Sequence, residues 1–245
     1  MSAGELALLG AIALGGALIF GVTGFGSALV TIPLATHLVP LKTALAIFAI
    51  ADLVSALRVG LESPRLAVRA EWTRLVPMIV VGTALGVTLL VNLPRAAGMA
   101  LLGAFVLAYA VYSLAKRGSG RIVSPRWAWV AGLGGGLSST LFGAGGPPYA
   151  IYLSQRGLSK EQFRATMGFA TMTSISLRVV AFALTGMLLD AQVWLALVVV
   201  VPAVLAGLYL ARRVFLAVSR EALLRAIAFL LLGSGASLLW RAAAL

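Results

Sequence analysis

The residues best placed to do chemistry lie in two glycine-rich segments that interrupt long apolar sequence. Residues 21–27 read Gly-Val-Thr-Gly-Phe-Gly-Ser, and residues 142–148 read Phe-Gly-Ala-Gly-Gly-Pro-Pro. Glycine has no Cβ, so the backbone can approach a solute closely, and the N–H groups at a helix start favour anions. Proline is tolerated in a first helical turn. We therefore expect helices to begin near Ser27 and Pro147, with their N-termini pointing at one small anion.

The candidate substrate-binding residues of these segments and their flanks offer backbone N–H groups or hydroxyl groups. They are Thr23, Gly24, Phe25, Gly26, Ser27, Ser139, Thr140, Gly143, Gly145, Gly146 and Pro147. The alternative is that the glycines only allow helices to pack closely, as Gly82-x-x-x-Gly86 and Gly132-x-x-x-Gly136 would.

Three charged side chains inside apolar sequence extend the candidate site. Arg178 lies in residues 167–188, which carry no other charge, and a charge inside a bilayer costs at least about 2.5 kcal/mol. Arginine suits bidentate contacts to oxyanions, so Arg178 is a candidate substrate clamp, and Arg58 is its match in the first half. The alternative is a salt bridge from Arg178 to Asp52. Asp52 is either that counter-ion or a protonatable coupling group. Several hydroxyl residues, including Thr171 and Ser174, accompany Arg178.

Composition predicts a polytopic membrane protein. The chain is 61% hydrophobic and 11% charged, whereas soluble domains carry about 25% charged residues. The net charge of +12 lies in short loops, so nucleic acid is not an expected partner. The lack of cysteine excludes thiol chemistry, and one histidine with seven acids leaves little for a metal site or an enzyme. We expect no cofactor, and no cleaved signal peptide because the N-terminus lacks a positive region.

Eight apolar blocks follow one another along the chain, and six have the length of one spanning helix. They are residues 3–38, 43–61, 75–92, 96–115, 127–153, 164–188, 192–211 and 222–240. The two long blocks, 3–38 and 127–153, contain the glycine-rich segments. Broken helices at membrane depth usually line a solute cavity, and a matched pair of them points to a transporter.

The positions of lysine and arginine predict the topology. These residues concentrate in loops 62–74, 116–126, 154–164 and 212–221, which are therefore expected in the cytoplasm. Block 127–153 has a basic loop on each side, so it should enter and leave the membrane on one side, as a re-entrant hairpin or two short spans. The same reasoning places both ends of block 3–38, and both termini, on the external side. The two halves are then inverted.

Local matches between the halves support a repeat. Gly24-Phe25-Gly26-Ser27 aligns with Gly143-Ala144-Gly145-Gly146, and Ala56-Leu57-Arg58-Val59 aligns with Ser176-Leu177-Arg178-Val179. We predict a first membrane repeat at 1–115, a basic cytoplasmic linker at 116–126 and a second membrane repeat at 127–245. The predicted fold is all-α, with two inverted repeats, each a broken or re-entrant glycine-rich hairpin followed by three transmembrane helices.

The glycine-rich motifs also carry a resemblance to a known family. Gly-Val-Thr-Gly-Phe-Gly-Ser followed by Thr31-Ile32-Pro33-Leu34 resembles the first signature of the sulfite exporter TauE/SafE family, and residues 142–153 resemble the second. The resemblance implies a multi-pass permease of the bacterial inner membrane for sulfite, sulfonates or related organic anions. Two departures are Ser27, where many members continue with glycine, and the hydroxyl cluster Ser138-Ser139-Thr140.

The predicted function is secondary transport of a small anion by alternating access around a midplane site between the two glycine-rich breaks. An anion channel built from the same breaks is the alternative, and a membrane partner protein that transports nothing is a third class. The expected partners are the anion, the lipid bilayer and a proton or sodium ion as coupling ion. The sequence leaves open the identity of the anion, the direction of transport and the oligomeric state.

Overall fold

The computed structural model describes residues 1–115, 122–217 and 220–243, and every regular element within them is a helix. A short 3₁₀ helix at Pro64–Leu66 precedes α4. The α-helices are α1 (Ala3–Thr23), α2 (Ser27–Ala35), α3 (Leu41–Gly60), α4 (Arg69–Asn92), α5 (Arg95–Ala115), α6 (Trp127–Phe142), α7 (Gly146–Leu153), α8 (Lys160–Leu184), α9 (Ala191–Ala217) and α10 (Arg220–Ala243).

Five of the described helices are long and apolar enough to cross a membrane, namely α1, α3, α4, α8 and α9. The most buried of them is α3, which packs against α1, α2, α8 and α9. These helices confirm the expectation of an all-helical, multi-pass membrane protein. Residues 116–121 of the predicted linker lie outside the part of the chain that the structure describes.

Several helices extend beyond the apolar blocks into the basic flanks. Helix α4 begins at Arg69 rather than near residue 75, and α8 begins at Lys160 rather than 164. Lysine, arginine and glutamate are good helix formers, so a helix can continue beyond the last apolar residue into charged sequence. A capping box fixes the start of α8: the Ser159 hydroxyl accepts from the Gln162 N–H, and the Gln162 side chain accepts from the Ser159 N–H.

Both long apolar blocks fold as a long helix, a three-residue tip and a short helix. Gly24, with φ 79°, directly follows α1, and Gly143, with φ 73°, directly follows α6. This left-handed conformation stops a right-handed helix and is tolerated best by glycine. The chain becomes helical again at Ser27 and at Gly146.

Each short helix folds back along the long helix before it. A Cβ added to Gly16 of α1 would lie 2.2 Å from Thr31 Cγ2 of α2, and one added to Gly135 of α6 would lie 2.0 Å from Tyr149 Cε1 of α7. We call the two units hairpin 1 (α1 and α2) and hairpin 2 (α6 and α7). The absence of a side chain at one glycine in each long helix lets the short helix lie close.

The main helix contacts join the first half of the chain to the second. Helix α1 packs on α9, α4 on α6, α3 on α8 and α5 on α10. Helices α4 and α6 approach closely, since Cβ atoms added to Gly82 and Gly136 would lie 2.3 and 2.4 Å from the carbonyl oxygens of Leu133 and Ile79. For these two glycines, close helix packing is therefore the role that the structure supports.

Candidate functional site

The tips of the two hairpins touch each other in the core. A Cβ added to Gly143 would lie 2.9 Å from Ala28 Cβ, and one added to Gly146 would lie 2.7 Å from Phe25 Cβ. The first turns of α2 and α7 therefore face one region, although the chain between them includes four long helices.

A small cavity lies between the two tips, and α1, α3 and α8 complete its wall. The space that the centre of a water-sized molecule can occupy there is about 10 Å³, enough for about one water. The lining residues are Phe20, Phe25, Gly26, Ser27, Asp52, Ser139, Gly143, Ala144, Gly145, Gly146, Tyr149, Thr171, Ser174 and Ile175. A polyatomic anion is larger than this space, so the cavity is closed to such a solute in this conformation.

An ion pair between the two halves lies at this cavity. Arg178 Nη2 of α8 donates to Asp52 Oδ2 of α3 at 2.9 Å, and the side chains are 1% and 5% exposed. The Ser27 hydroxyl donates to Asp52 Oδ1 at 2.8 Å, and Arg178 Nη1 donates to the Ser139 carbonyl oxygen at 3.0 Å. Of the two readings that the sequence left open for Arg178, the pairing with Asp52 is present. The pair links α2, α3, α6 and α8.

Other polar groups at the site retain hydrogen-bonding capacity. The Tyr149 hydroxyl donates to the Ser174 hydroxyl at 3.0 Å. Within the described residues, the buried Ser139 hydroxyl and Arg178 Nε have no hydrogen-bond partner. Buried polar groups are normally paired, so an unpaired hydroxyl in a cavity wall marks a position where a polar solute would be stabilised.

The structure brings most of the predicted site residues together. Eight of them line the cavity: Phe25, Gly26, Ser27, Asp52, Ser139, Gly143, Gly145 and Gly146. Gly24 follows α1 and precedes the lining residue Phe25, Pro147 lies in the first turn of α7, and Arg178 contacts the wall through Asp52 and Ser139. Thr23 is the last residue of α1, and its side chain lies outside the described part of the chain.

Two predicted residues are not brought to the cavity. Arg58 is exposed in the last turn of α3, because that helix ends shortly after it, whereas α8 continues past Arg178. Thr140 is buried against α4, where a Cβ on Gly86 would lie 2.8 Å from Thr140 Cβ, and its hydroxyl donates to the Gly136 carbonyl oxygen.

Sequence reasoning missed Tyr149 as a cavity residue and missed a second charge cluster around the buried residue Glu71. The Glu71 carboxylate in the first turn of α4 accepts from Arg156 and Arg74, each at 2.9 Å, and from the Tyr152 hydroxyl. We call these four residues the Glu71 cluster. The spacing of Tyr149 could have indicated its position. Tyr149 follows Gly146 by about one helical turn, so it lies at the end of α7 that is next to the tip.

These features define the chain as a multi-pass helical membrane protein with a buried polar cavity between two helix breaks. The family model described as sulfite exporter TauE/SafE matches residues 8–238. The chain belongs to the sulfite exporter TauE/SafE family and is a membrane transporter, which confirms the resemblance seen in its glycine-rich motifs. No match was found among curated proteins or among solved structures.

Proposed function

We propose that this chain is a secondary transporter of small oxyanions, such as sulfite or sulfonates, which bind between the tips of hairpins 1 and 2. The observation that carries the proposal is the meeting of two helix N-termini at one buried cavity beside Arg178. The positive ends of two helix dipoles and one guanidinium favour a negative solute there. A cavity with room for about one water favours a carrier over an open channel.

The two tips offer an anion different numbers of backbone donors. The first N–H groups of a helix have no partner within the helix. At α2 these belong to Gly26 and the residues that follow, whereas at α7 Pro147 and Pro148 have no N–H, so Gly145 and Gly146 supply the donors. The Ser139 hydroxyl adds a side-chain donor on the α7 side. The proposed site therefore combines backbone N–H donors from α2 with backbone N–H donors and one side-chain hydroxyl from hairpin 2.

We further propose that the halves 1–115 and 127–245 are inverted repeats. Each half has a long helix, a short helix and three further helices in the same order. The packing partners exchange as a two-fold axis requires: α1 on α9 corresponds to α6 on α4, while α3 with α8 and α5 with α10 are pairs of equivalent helices. The basic loops favour an axis in the membrane plane, with both termini external and each hairpin entering and leaving the membrane on one side.

Alternating access in this proposal is a movement of one half against the other around the cavity. Since the closed cavity cannot contain an oxyanion, the tips must separate for the solute to enter. Phe25 against Gly146 and Ala28 against Gly143 are the contacts that would open.

A thermal-shift screen of the purified protein tests the site. Sulfite, sulfate, methanesulfonate, acetate and chloride are compared, since a bound ligand stabilises the folded state in proportion to RT ln(1 + [L]/Kd). Counter-flow exchange of a stabilising anion in proteoliposomes then separates a carrier from a channel, for which a large conductance in a planar bilayer is expected. If no anion of the panel stabilises the protein, the proposed site is refuted.

The variant Ser139→Ala makes the screen specific to the cavity. It removes a buried hydroxyl that has no partner in the described structure, so the protein without anion should keep or gain thermal stability. The shift caused by the anion should decrease. Thr88→Ala is the control, because the Thr88 hydroxyl is exposed and donates to the Ala84 carbonyl oxygen of its own helix. The anion shift of this variant should equal that of the wild type.

A further inference from the structure

The charge of Arg178 is already neutralised when the cavity is closed. Its Nη2 group is 2.9 Å from Asp52 Oδ2, and both side chains are buried. An oxyanion that contacts Arg178 would therefore lie beside the Asp52 carboxylate as well. Two negative charges in one buried site disfavour each other's ionised form, so one of them is neutralised or moves away.

Among the described side chains around Asp52, Arg178 is the one cation close enough to offset the added charge. Tyr149 of α7 lines the same cavity, and α1 and α2 bring no titratable side chain to it. Helix α3 and the helices packed against it carry other described titratable or charged groups. These groups lie at exposed positions, at helix ends or in other contacts, and they are Lys42, Arg58, Glu5, Tyr109, Tyr112, Lys160, Glu161, Arg164, Tyr209 and Arg213.

We propose that Asp52 takes up one proton each time an oxyanion binds, so that the anion replaces the Asp52 carboxylate as the partner of Arg178. This inference rests on the proposed function of the cavity. The proton comes from water on the side to which the site is open and adds to Asp52 Oδ2, which then donates to the anion, while Ser27 continues to donate to Oδ1. The site then closes, opens to the other side of the membrane and releases the anion and the proton. One proton is therefore transferred with each anion.

A proton suits this position better than a sodium ion. Asp52 is held by two donors, the Ser27 hydroxyl and the Arg178 guanidinium, and the guanidinium has no lone pair to offer a cation. The guanidinium also repels a metal cation placed at the same carboxylate.

The first experiment measures proton uptake during anion binding. Purified protein in weakly buffered solution with a pH indicator is mixed with each anion of the thermal-shift panel that stabilises it. We expect one proton taken up per bound anion for the wild type and for Glu62→Gln, which alters an exposed acid. Methanesulfonate is the most direct probe, because sulfonates stay ionised throughout the assay. Binding without proton uptake would overturn the inference and leave the transporter intact, whereas no binding by any anion would overturn both.

The second experiment follows the carboxyl group itself. The infrared difference spectrum with and without methanesulfonate, or the strongest stabilising anion of the panel, should gain the C=O band of a protonated carboxylic acid in the wild type. That band should be missing in Asp52→Asn. In the pH range where Asp52 is ionised before the anion binds, the anion affinity of the wild type should rise about tenfold for each unit by which the pH falls. The anion affinity of Asp52→Asn should not depend on pH.

Because Asp52→Asn leaves Arg178 with a neutral partner, the variant could fold poorly. The wild-type spectrum and the wild-type proton count keep the inference testable in that case. A spectrum of the anion-bound wild type that lacks the carboxylic acid band would refute the protonation of Asp52.

Discussion

Gly135 of α6 lies against the aromatic ring of Tyr149 of α7, so closely that a Cβ at position 135 would be 2.0 Å from Tyr149 Cε1. This contact holds the short helix of hairpin 2 along the long one. It also positions the Tyr149 hydroxyl, which donates to Ser174 of α8 at 3.0 Å. One missing side chain in α6 thus determines where a cavity residue of α7 lies.

Replacement of Gly135 by alanine should therefore displace α7. Overpacking in a well-packed interior costs about 1–3 kcal/mol, whereas Gly134→Ala, with Pro148 Cγ 3.9 Å from the added Cβ, introduces only an ordinary contact. Both changes bring the same gain in helix propensity, so their difference isolates the contact. Thermal denaturation in detergent should give a lower Tm for Gly135→Ala and a weaker anion shift. Equal Tm values and equal anion shifts for Gly135→Ala and Gly134→Ala would contradict the close contact between Gly135 and Tyr149.

The two glycines that end α1 and α6 allow a test of the contact between the tips. Gly24 and Gly143 have φ values of 79° and 73°, so alanine at either position is strained by about 1–2 kcal/mol. Nothing lies within 4 Å of a Cβ at Gly24, whereas one at Gly143 would be 2.9 Å from Ala28 Cβ. Gly143→Ala should therefore lower the Tm further than Gly24→Ala. A similar loss in both would argue against touching tips.

The buried ion pair should show strong non-additivity. Arg178→Ala leaves the Asp52 carboxylate buried without its cation, and breaking such a pair costs about 3–5 kcal/mol. The double variant Asp52→Asn with Arg178→Ala removes both charges and should be more stable than Arg178→Ala alone. Denaturation of both single variants and the double variant, each without anion, measures the coupling. Additive losses would mean that the two side chains do not interact.

The Glu71 cluster should stabilise the protein more than the exposed pair on the same side. Glu71 and Arg156 have side chains 6% and 13% exposed, and Glu71→Gln weakens hydrogen bonds to charged groups worth about 1.5–3 kcal/mol each. Glu62 and Arg164 are 34% and 48% exposed, and such pairs contribute about 0–1 kcal/mol. The Tm of Glu71→Gln should fall clearly below that of Glu62→Gln, and the opposite order would contradict the cluster.

The glycine-rich tips could be predicted because their sequence conflicts with the surrounding pattern. An apolar block too long for one helix that contains several glycines must be broken there, and the breaks at Gly24 and Gly143 lie inside the predicted segments. Arg178 was recognisable for a similar reason, since a lone charge in an apolar helix needs a polar partner.

The remaining features depend on tertiary contacts that spacing does not encode. Arg58 and Arg178 occupy matching positions in the sequence, but only the longer helix α8 carries its arginine into the core. Glu71 lies in a basic segment that the charge pattern assigned to a loop, and its burial depends on Tyr152 of α7 and on Arg156, which follows α7. Thr140 belonged to a hydroxyl cluster next to the second tip, yet its side chain is turned toward α4.

The narrowness of the cavity has a consequence for the cell membrane. Space for about one water between the tips is too little for a continuous file of water along this route, and protons cross proteins readily along such files. A transporter resting in this conformation would therefore preserve the electrical and proton gradients of its membrane at this position. The cell could keep many copies in place without draining the energy stored across the bilayer.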